Sequence, residues 1–363
     1  MPPGRVWRKE TPEEIVADGT EGGYAAGPVA ALRRIAFLLE RAREDTFKVK
    51  AFRSAAATVL PMPAADLAAH VEAGTLTDLP GIGKSSARVI TEAWHGRMPE
   101  RLARLEREQA GPLAPGGADL LARIRGDLHS HSDWSDGGSP IEEMAFTAIE
   151  LGRDYLVLTD HSPRLKVARG LSAERLARQL DVVDAVNTHL DGSFRLLKGI
   201  EVDILDDGSL DQTDAMLARL DVRVASVHSK LAMESPAMTR RMVTAVRNPR
   251  TNVLGHCTGR LVTGNRGTRN QSQFDPRAVF EACAENDVAV EINSRPERRD
   301  PPTKLLELAR DTGCLFSIDS DAHAPGQLDF LAYGAERAEA AGIDPDRIVN
   351  TWPADRLLAW ANR

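Results

Sequence analysis

The sequence predicts an α/β protein, a seven-unit (β/α) barrel preceded by a small all-α domain, and three observations carry the prediction. Short apolar runs alternate with amphipathic stretches through the last two thirds of the chain. No glycine fingerprint for a nucleotide follows the first run, which disfavours an open doubly wound sheet. Six of the nine histidines stand at the ends of those runs, where a barrel builds its sites.

The 363 residues, 42% hydrophobic and 27% charged, suit a globular chain with room for a barrel and an appendage. There is no run of about 18 apolar residues, and the opening MPPGRVWRKETPEE lacks an apolar signal core. Neither a membrane partner nor secretion is expected, and the cytosol is the default. Cys257, Cys283 and Cys314 form no C-x-x-C pair and read as buried thiols in a reducing compartment. The net charge of −7 is uneven: residues 28–110 hold 13 basic against 10 acidic side chains, and residues 126–363 hold 28 against 37. That polarity suggests a mildly basic recognition module on an acidic catalytic body.

Residues 1–27, rich in Gly, Pro and acidic residues, read as a disordered arm. From 28 to 107 the apolar spacing is helical, as in VAALRRIAFLLERA and FKVKAFRSAAATVL. Within it LPGIGKSSARVI carries a helix-hairpin-helix signature, in which Gly81 and Gly83 permit a tight turn that opens a helix at Lys84. Residues 108–122, with their Pro and Gly, read as a linker. From 123 to 363 the strand segments are IRGDLH, YLVLTDH, FRLLKGIEVD, VRVASVHS, NVLGHC, VAVEIN and CLFSIDSDAH. Continuous apolar strands between helices imply a parallel sheet covered on both faces.

His129, His131, His161, His228, His256 and His323 share the strand-end level with Asp136, Asp160, Glu201 and Asp321. A single histidine there is usually a hydrogen-bonded rim residue. Six interleaved with carboxylates need a common partner, and a cation supplies it. Imidazole and carboxylate donors without thiolates suit Zn²⁺, Mn²⁺ or Fe²⁺ rather than a cysteine-based structural zinc. Just past strand ends, Lys230, Arg260 and Arg298 are expected to hold the oxygens of an anionic substrate, with Asn293 and Arg169 as further candidates. His70, His95 and His189 lie in helical segments and read as surface residues.

The ordered series DLHSHSDWSDG, TDHS, GIEVDI, SVHSK, GHCTGR, EINSRPERRD and SDAH resembles the polymerase and histidinol phosphatase (PHP) phosphoesterases from about Arg123 to the C-terminus. The resemblance implies a distorted seven-stranded barrel and phosphoester hydrolysis by a metal-bound hydroxide. It also implies metal ligands at His129, His131, Asp136, His161, Glu201, His228, His256, Asp321 and His323. Nine donors exceed the needs of one ion, so three divalent ions, Mn²⁺ or Zn²⁺ with Fe²⁺ as a further candidate, are expected, with Glu201 bridging two. His129, His131, Glu201, Asp321 and His323 are taken as the catalytic core of the set.

Residues 28–107 are similar to the N-terminal DNA-end-binding domain of family X DNA polymerases. That likeness implies non-specific backbone contact, here assigned to Lys48, Arg53, Gly81, Gly83 and Lys84. Lys48 matches a lysine that grips a 5′-phosphate in that family, and Arg260 and Arg298 match basic positions of the bacterial enzymes' barrel. Val89 stands where the lyase lysine would be and Ser85 at another basic position, so lyase chemistry is not expected. Only the short linker stands where the polymerase body would lie, so no polymerase activity is expected either. The leading expectation is a phosphoesterase acting on DNA ends or gaps, as a 3′-5′ exonuclease or 3′-phosphatase. Its rivals are a small-molecule phosphatase, with a phosphomonoester such as histidinol phosphate as substrate, and a non-catalytic DNA-binding adaptor.

Overall fold

A computed structural model describes residues 24–190, 192–264 and 267–363. Most of the expected arm, residues 1–23, lies outside the described residues. The chain forms two compact units that divide between Pro112 and Leu113. Among the described residues no helix is long and apolar enough to cross a membrane.

The first unit is helical: α1 Gly27–Arg41, α2 Thr46–Val59, α3 Ala64–Ala73, α4 Lys84–Trp94 and α5 Glu100–Glu108. In α1, Leu32, Ile35, Ala36 and Leu39 recur at helical spacing and are 0–2% exposed, so one stripe supplies much of the core. Asp45 caps α2 by accepting from the Phe47 N–H, and α3 stops at Gly74 in the left-handed region. Gly81 (φ +77°) makes the turn before α4, and a Cβ there would stand 3.1 Å from Ser54 Cβ. Gly83 differs: its φ of −94° suits any residue, and a Cβ would meet nothing within 4 Å. Gly81 therefore carries the turn, whereas Gly83 leaves the backbone before α4 open to approach.

The second unit corrects the linker expectation at its end, because Ala118–Arg123 forms a helix, α6, with Leu120 buried. The reason is close packing of Gly117, where a Cβ would lie 2.3 Å from the Glu336 backbone nitrogen. Seven parallel strands follow in chain order: β1 Gly126–Ser130, β2 Tyr155–Leu158, β3 Arg195–Asp203, β4 Val222–Ser226, β5 Val253–Leu254, β6 Ala289–Asn293 and β7 Phe316–Asp319. Leu128, Tyr155, Val157, Val224, Val253, Val290 and Phe316 are all 0% exposed, as strands wrapped by helices require.

The barrel is nearly closed and distorted. Between β1 and β7 a single bridge, Ser130 to Ala322, replaces a ladder. Side chains complete the seam: Asp319 accepts from the Leu128 N–H at 3.1 Å and Asp127 from the Ser320 N–H at 3.2 Å. β5 is only two residues long, and just beyond it a Cβ on Gly255 would stand 2.3 Å from Ser226 Oγ. The open end of this seam is the level at which the histidines emerge.

Candidate metal centre

β1 delivers His129 on the strand and His131 just beyond it, two residues apart and hence on one face, both 0% exposed. A tight turn at Gly137, where a Cβ would lie 2.6 Å from Ser132 O, returns the chain and presents Asp136. His161 follows β2 and pairs in parallel with Glu201 on β3. His228, His256 and the pair Asp321 and His323 follow β4, β5 and β7. Asp321 holds a left-handed backbone (φ +51°) that a side chain rarely adopts, and its carboxylate faces the cluster.

Glu201 is the centre, 1% exposed. Its Oε2 lies 3.3 Å from His129 Nε2, 3.6 Å from His131 Nε2 and 2.8 Å from His161 Nδ1, and its Oε1 lies 3.1 Å from His228 Nε2 and 2.8 Å from His256 Nε2. Asp321 Oδ1 stands 3.5 Å from His131 Nε2, and Asp136 Oδ1 is 3.4 Å from both His161 Nε2 and His323 Nε2. Four overlapping groups could each hold an ion: His131, Asp136, His161 and His323; His129, His131 and Asp321; His129, Glu201 and His256; His161, Glu201 and His228. Together these groups use all nine expected residues.

The donors pass a chemical test for a cation. The buried atoms His129 Nε2, His131 Nδ1 and Nε2, His161 Nδ1, His228 Nδ1 and Nε2, and His256 Nδ1 make no protein hydrogen bond. His161 Nδ1 is 2.8 Å from Glu201 yet off hydrogen-bond geometry, as when two donors face a common point rather than each other. So many orphaned imidazole nitrogens beside carboxylates are costly unless an ion completes them. Burial pushes the Glu201 carboxyl up, but His228, His129 and His161 outweigh it and hold it well below the usual range. Burial likewise opposes ionisation of Asp321, yet Arg298 and His129 hold it low. His131 is pushed down to about 3 by burial and by His323 and His161, which keeps one ring nitrogen free to bind a cation. Against the pull of burial, the same carboxylates hold His129, His161 and His228 above the usual imidazole range, so a cation would take the place of their protons, and the mixed oxygen and nitrogen donors suit a hard-to-borderline ion.

Several expected residues serve elsewhere. Asp160 is buried beneath the cluster and accepts from Ser132 N–H, Ser132 Oγ and Gln179 Nε2, so it ties down the β1 loop. Asn293, expected at the substrate, is 0% exposed and donates to Glu291 and Asp321, which makes it a positioning group. Arg260 donates to the Arg298 and Arg299 carbonyls, because that loop leaves these acceptors unmet, and so it braces the loop. Arg298 itself holds Asp321 Oδ2 through Nε at 3.0 Å. Lys230 is exposed and paired with Asp206, and Arg169 donates to the Asp133 and Ser135 carbonyls.

In the helical unit Lys84 and Lys48 are exposed, Lys48 within reach of Glu44 at 2.7 Å. Arg53 is corrected as a DNA contact: its Nε and Nη2 both bond Glu40, at 2.9 and 2.7 Å, in a largely buried pair. A guanidinium fork matches a carboxylate, and Glu40, 4% exposed, offers the stronger partner.

Three residues escape sequence reasoning. Glu291, in the middle of β6 and 0% exposed, lies 2.5 Å from His129 Nδ1 and accepts from the His256 backbone N–H. Asp203 is 3.5 Å from His228 Nδ1. Such carboxylates would fix which ring nitrogen is left to a bound ion. Arg295 donates to the Asp321 carbonyl and contacts His323 Nδ1 at 2.9 Å. The available signal was an acid inside an apolar strand, AVEIN, which has no bland place in a core.

Comparison with known proteins finds two domain matches and several relatives. Residues 127–295 match the PHP domain and residues 26–97 a helix-hairpin-helix domain. A DNA polymerase/3′-5′ exonuclease PolX of Bacillus subtilis is 39% identical over 243 residues, 67% of this chain but 42% of its own length. A probable phosphatase of Syntrophotalea carbinolica is 28% identical over 62% of this chain and 90% of its own. A zinc-, histidinol- and phosphate-bound histidinol phosphate phosphatase from Lactococcus lactis aligns with TM-score 0.44 and 17% identity over 61% of this chain and 95% of its own. The chain spans less than half of the length of the Bacillus protein, and it carries a helix-hairpin-helix domain over residues 26–97 and a PHP domain over residues 127–295.

Proposed function

We propose that the barrel is a metal-dependent phosphoesterase and that its substrates are DNA ends, processed as a 3′-5′ exonuclease or 3′-phosphatase. The observation that carries the hydrolase reading is Glu201, whose two carboxylate oxygens are ringed by five imidazoles. Three ions are proposed on the overlapping donor groups, Mn²⁺ or Zn²⁺ by donor chemistry, with Fe²⁺ compatible. When bound, such ions activate water near neutral pH and neutralise phosphate oxygens. The protein's own part is placement. Glu291 orients His129, Asn293 and Arg298 hold the outer oxygen of Asp321, and Arg260 braces the loop that carries Arg298.

DNA as substrate rests on the helical unit. The eleven-residue helix α4 begins at an exposed turn where Gly83 leaves the backbone open and Lys84 adds charge, an arrangement suited to a backbone phosphate. The three buried free thiols fit a proposed cytosolic setting. A second reading, a small-molecule phosphatase, is favoured by the probable phosphatase matched over 90% of its length. The test offers purified protein, with Mn²⁺ or Zn²⁺, a 3′-end-labelled oligonucleotide beside histidinol phosphate. Faster turnover of the oligonucleotide, lost in His161→Ala and Asp321→Ala, is expected. Faster turnover of histidinol phosphate, or retained activity in both variants, would overturn the reading.

A further inference from the structure

The charge of the barrel region is not spread evenly around its mouth. Residues 126–363 carry 28 basic against 37 acidic side chains, yet the loops after β2 (159–172), β5 (255–275) and β6 (294–302) carry nine basic against four acidic. In sheet order β2 is three strands from β5 in one direction and three strands from β6 in the other, across the β1–β7 seam. The cationic loops therefore form two patches on opposite sides of the opening, with the candidate metal centre between them. One of the nine, Arg266, lies outside the described residues.

A second observation is independent of charge. Among the described residues of the barrel unit, the large apolar side chains left exposed are Val167 (92%) and Val262 (40%), and both sit on these cationic loops. Val167 is displayed by a fixed turn rather than a loose one. Leu171 N–H donates to His161 O at 2.7 Å, Ala168 is buried beneath the turn, and Gly170 packs so closely on Ser162 O that a Cβ would lie 1.9 Å from it. Across the mouth, Val262 N–H donates to Glu297 O at 2.7 Å, which joins the β5 and β6 loops into one body. Among the described residues no hydrogen bond or ion pair engages the Lys166 side chain, and Val167 stands exposed beside it.

We propose that these two patches form a track for a single DNA strand, which enters over one, crosses the metal centre and leaves over the other. A small phosphomonoester needs one anion locus, whereas paired cationic and apolar contacts on both sides of a site fit a polymer of phosphates, sugars and bases. The inference rests on the phosphoesterase reading and adds to it a binding surface on the barrel itself.

Steady-state kinetics of the full chain, loaded with Mn²⁺, on a twelve-nucleotide single strand and on bis(p-nitrophenyl) phosphate test it, with Lys166→Glu and Val262→Ser as variants. For Lys166→Glu the oligonucleotide KM should rise by about tenfold with kcat nearly constant, and the salt dependence should become shallower by about 0.7 in log–log slope for each phosphate no longer neutralised. Val262→Ser should raise the same KM by a smaller factor, and turnover of the small diester should not change in either. If wild type cuts the oligonucleotide and neither variant alters its KM, the track is wrong and the hydrolase reading stands. Equal losses on both substrates would also overturn the track. If wild type hydrolyses the small diester but not the oligonucleotide, DNA as substrate fails and the track fails with it.

Discussion

The helical unit and the barrel rim use their polar residues in opposite ways. At the rim the candidate groups are buried, Glu201 at 1%, His129 and His131 at 0%, and buried carboxylates stand behind them, as Glu291 does behind His129. In the helical unit the candidate contacts Lys48, Gly83 and Lys84 are exposed, and a turn of backbone does the positioning. The difference teaches that the rim should fail all at once when a group is removed, because its side chains share Glu201 as a common centre. The helical unit should weaken by small steps, because exposed charges act nearly independently.

Glu201→Ala breaks this contrast most severely. It touches five imidazoles, so turnover should fall by about 10³-fold or more together with bound metal, read by kinetics and elemental analysis. Glu291→Ala comes next, with divalent-ion affinity of the apoprotein lowered about 10- to 100-fold in calorimetry, and Glu291→Gln recovering part of it by keeping an acceptor for His129. An unchanged affinity would show that Glu291 only fills space.

Arg53→Met sharpens the comparison within the helical unit. It removes a two-pronged partner of the buried Glu40 carboxylate and should cost about 3 kcal/mol of stability in a denaturant titration, with little effect on DNA affinity. Lys84→Ala should do the reverse: stability unchanged, and DNA affinity lowered modestly with a salt slope shallower by about 0.7 to 0.9. Equal effects of the two variants on DNA binding would mean that Arg53 contacts the strand after all.

Much of the fold and the rim is legible in the amino-acid sequence. Apolar runs announce the strands because a sheet covered on both faces tolerates little else, and β5 falls short of NVLGHC only where Gly255 meets Ser226. The helix α6 is hidden because Gly and Pro around 111–117 read as flexibility, whereas Gly117 is a close-packing residue. At the site, strand ends reveal which side chains gather but not what each one faces. Arg260 and Asn293 have the chemistry to hold phosphate, and only the geometry shows their hydrogen bonds directed at a loop and at Asp321. Glu291 stays hidden because one acid in a strand does not announce a histidine 162 residues away.

The central claim is that one carboxylate organises several ions, and metal stoichiometry tests it most directly. Protein stripped with a chelator and titrated with Mn²⁺ or Zn²⁺, followed by elemental analysis and native mass spectrometry, should take up three ions per chain, with phosphodiester hydrolysis returning as they bind. Glu201→Ala, still folded by circular dichroism, should bind at most one. A wild-type chain that binds no divalent ion, or hydrolyses as well without one, would contradict the account.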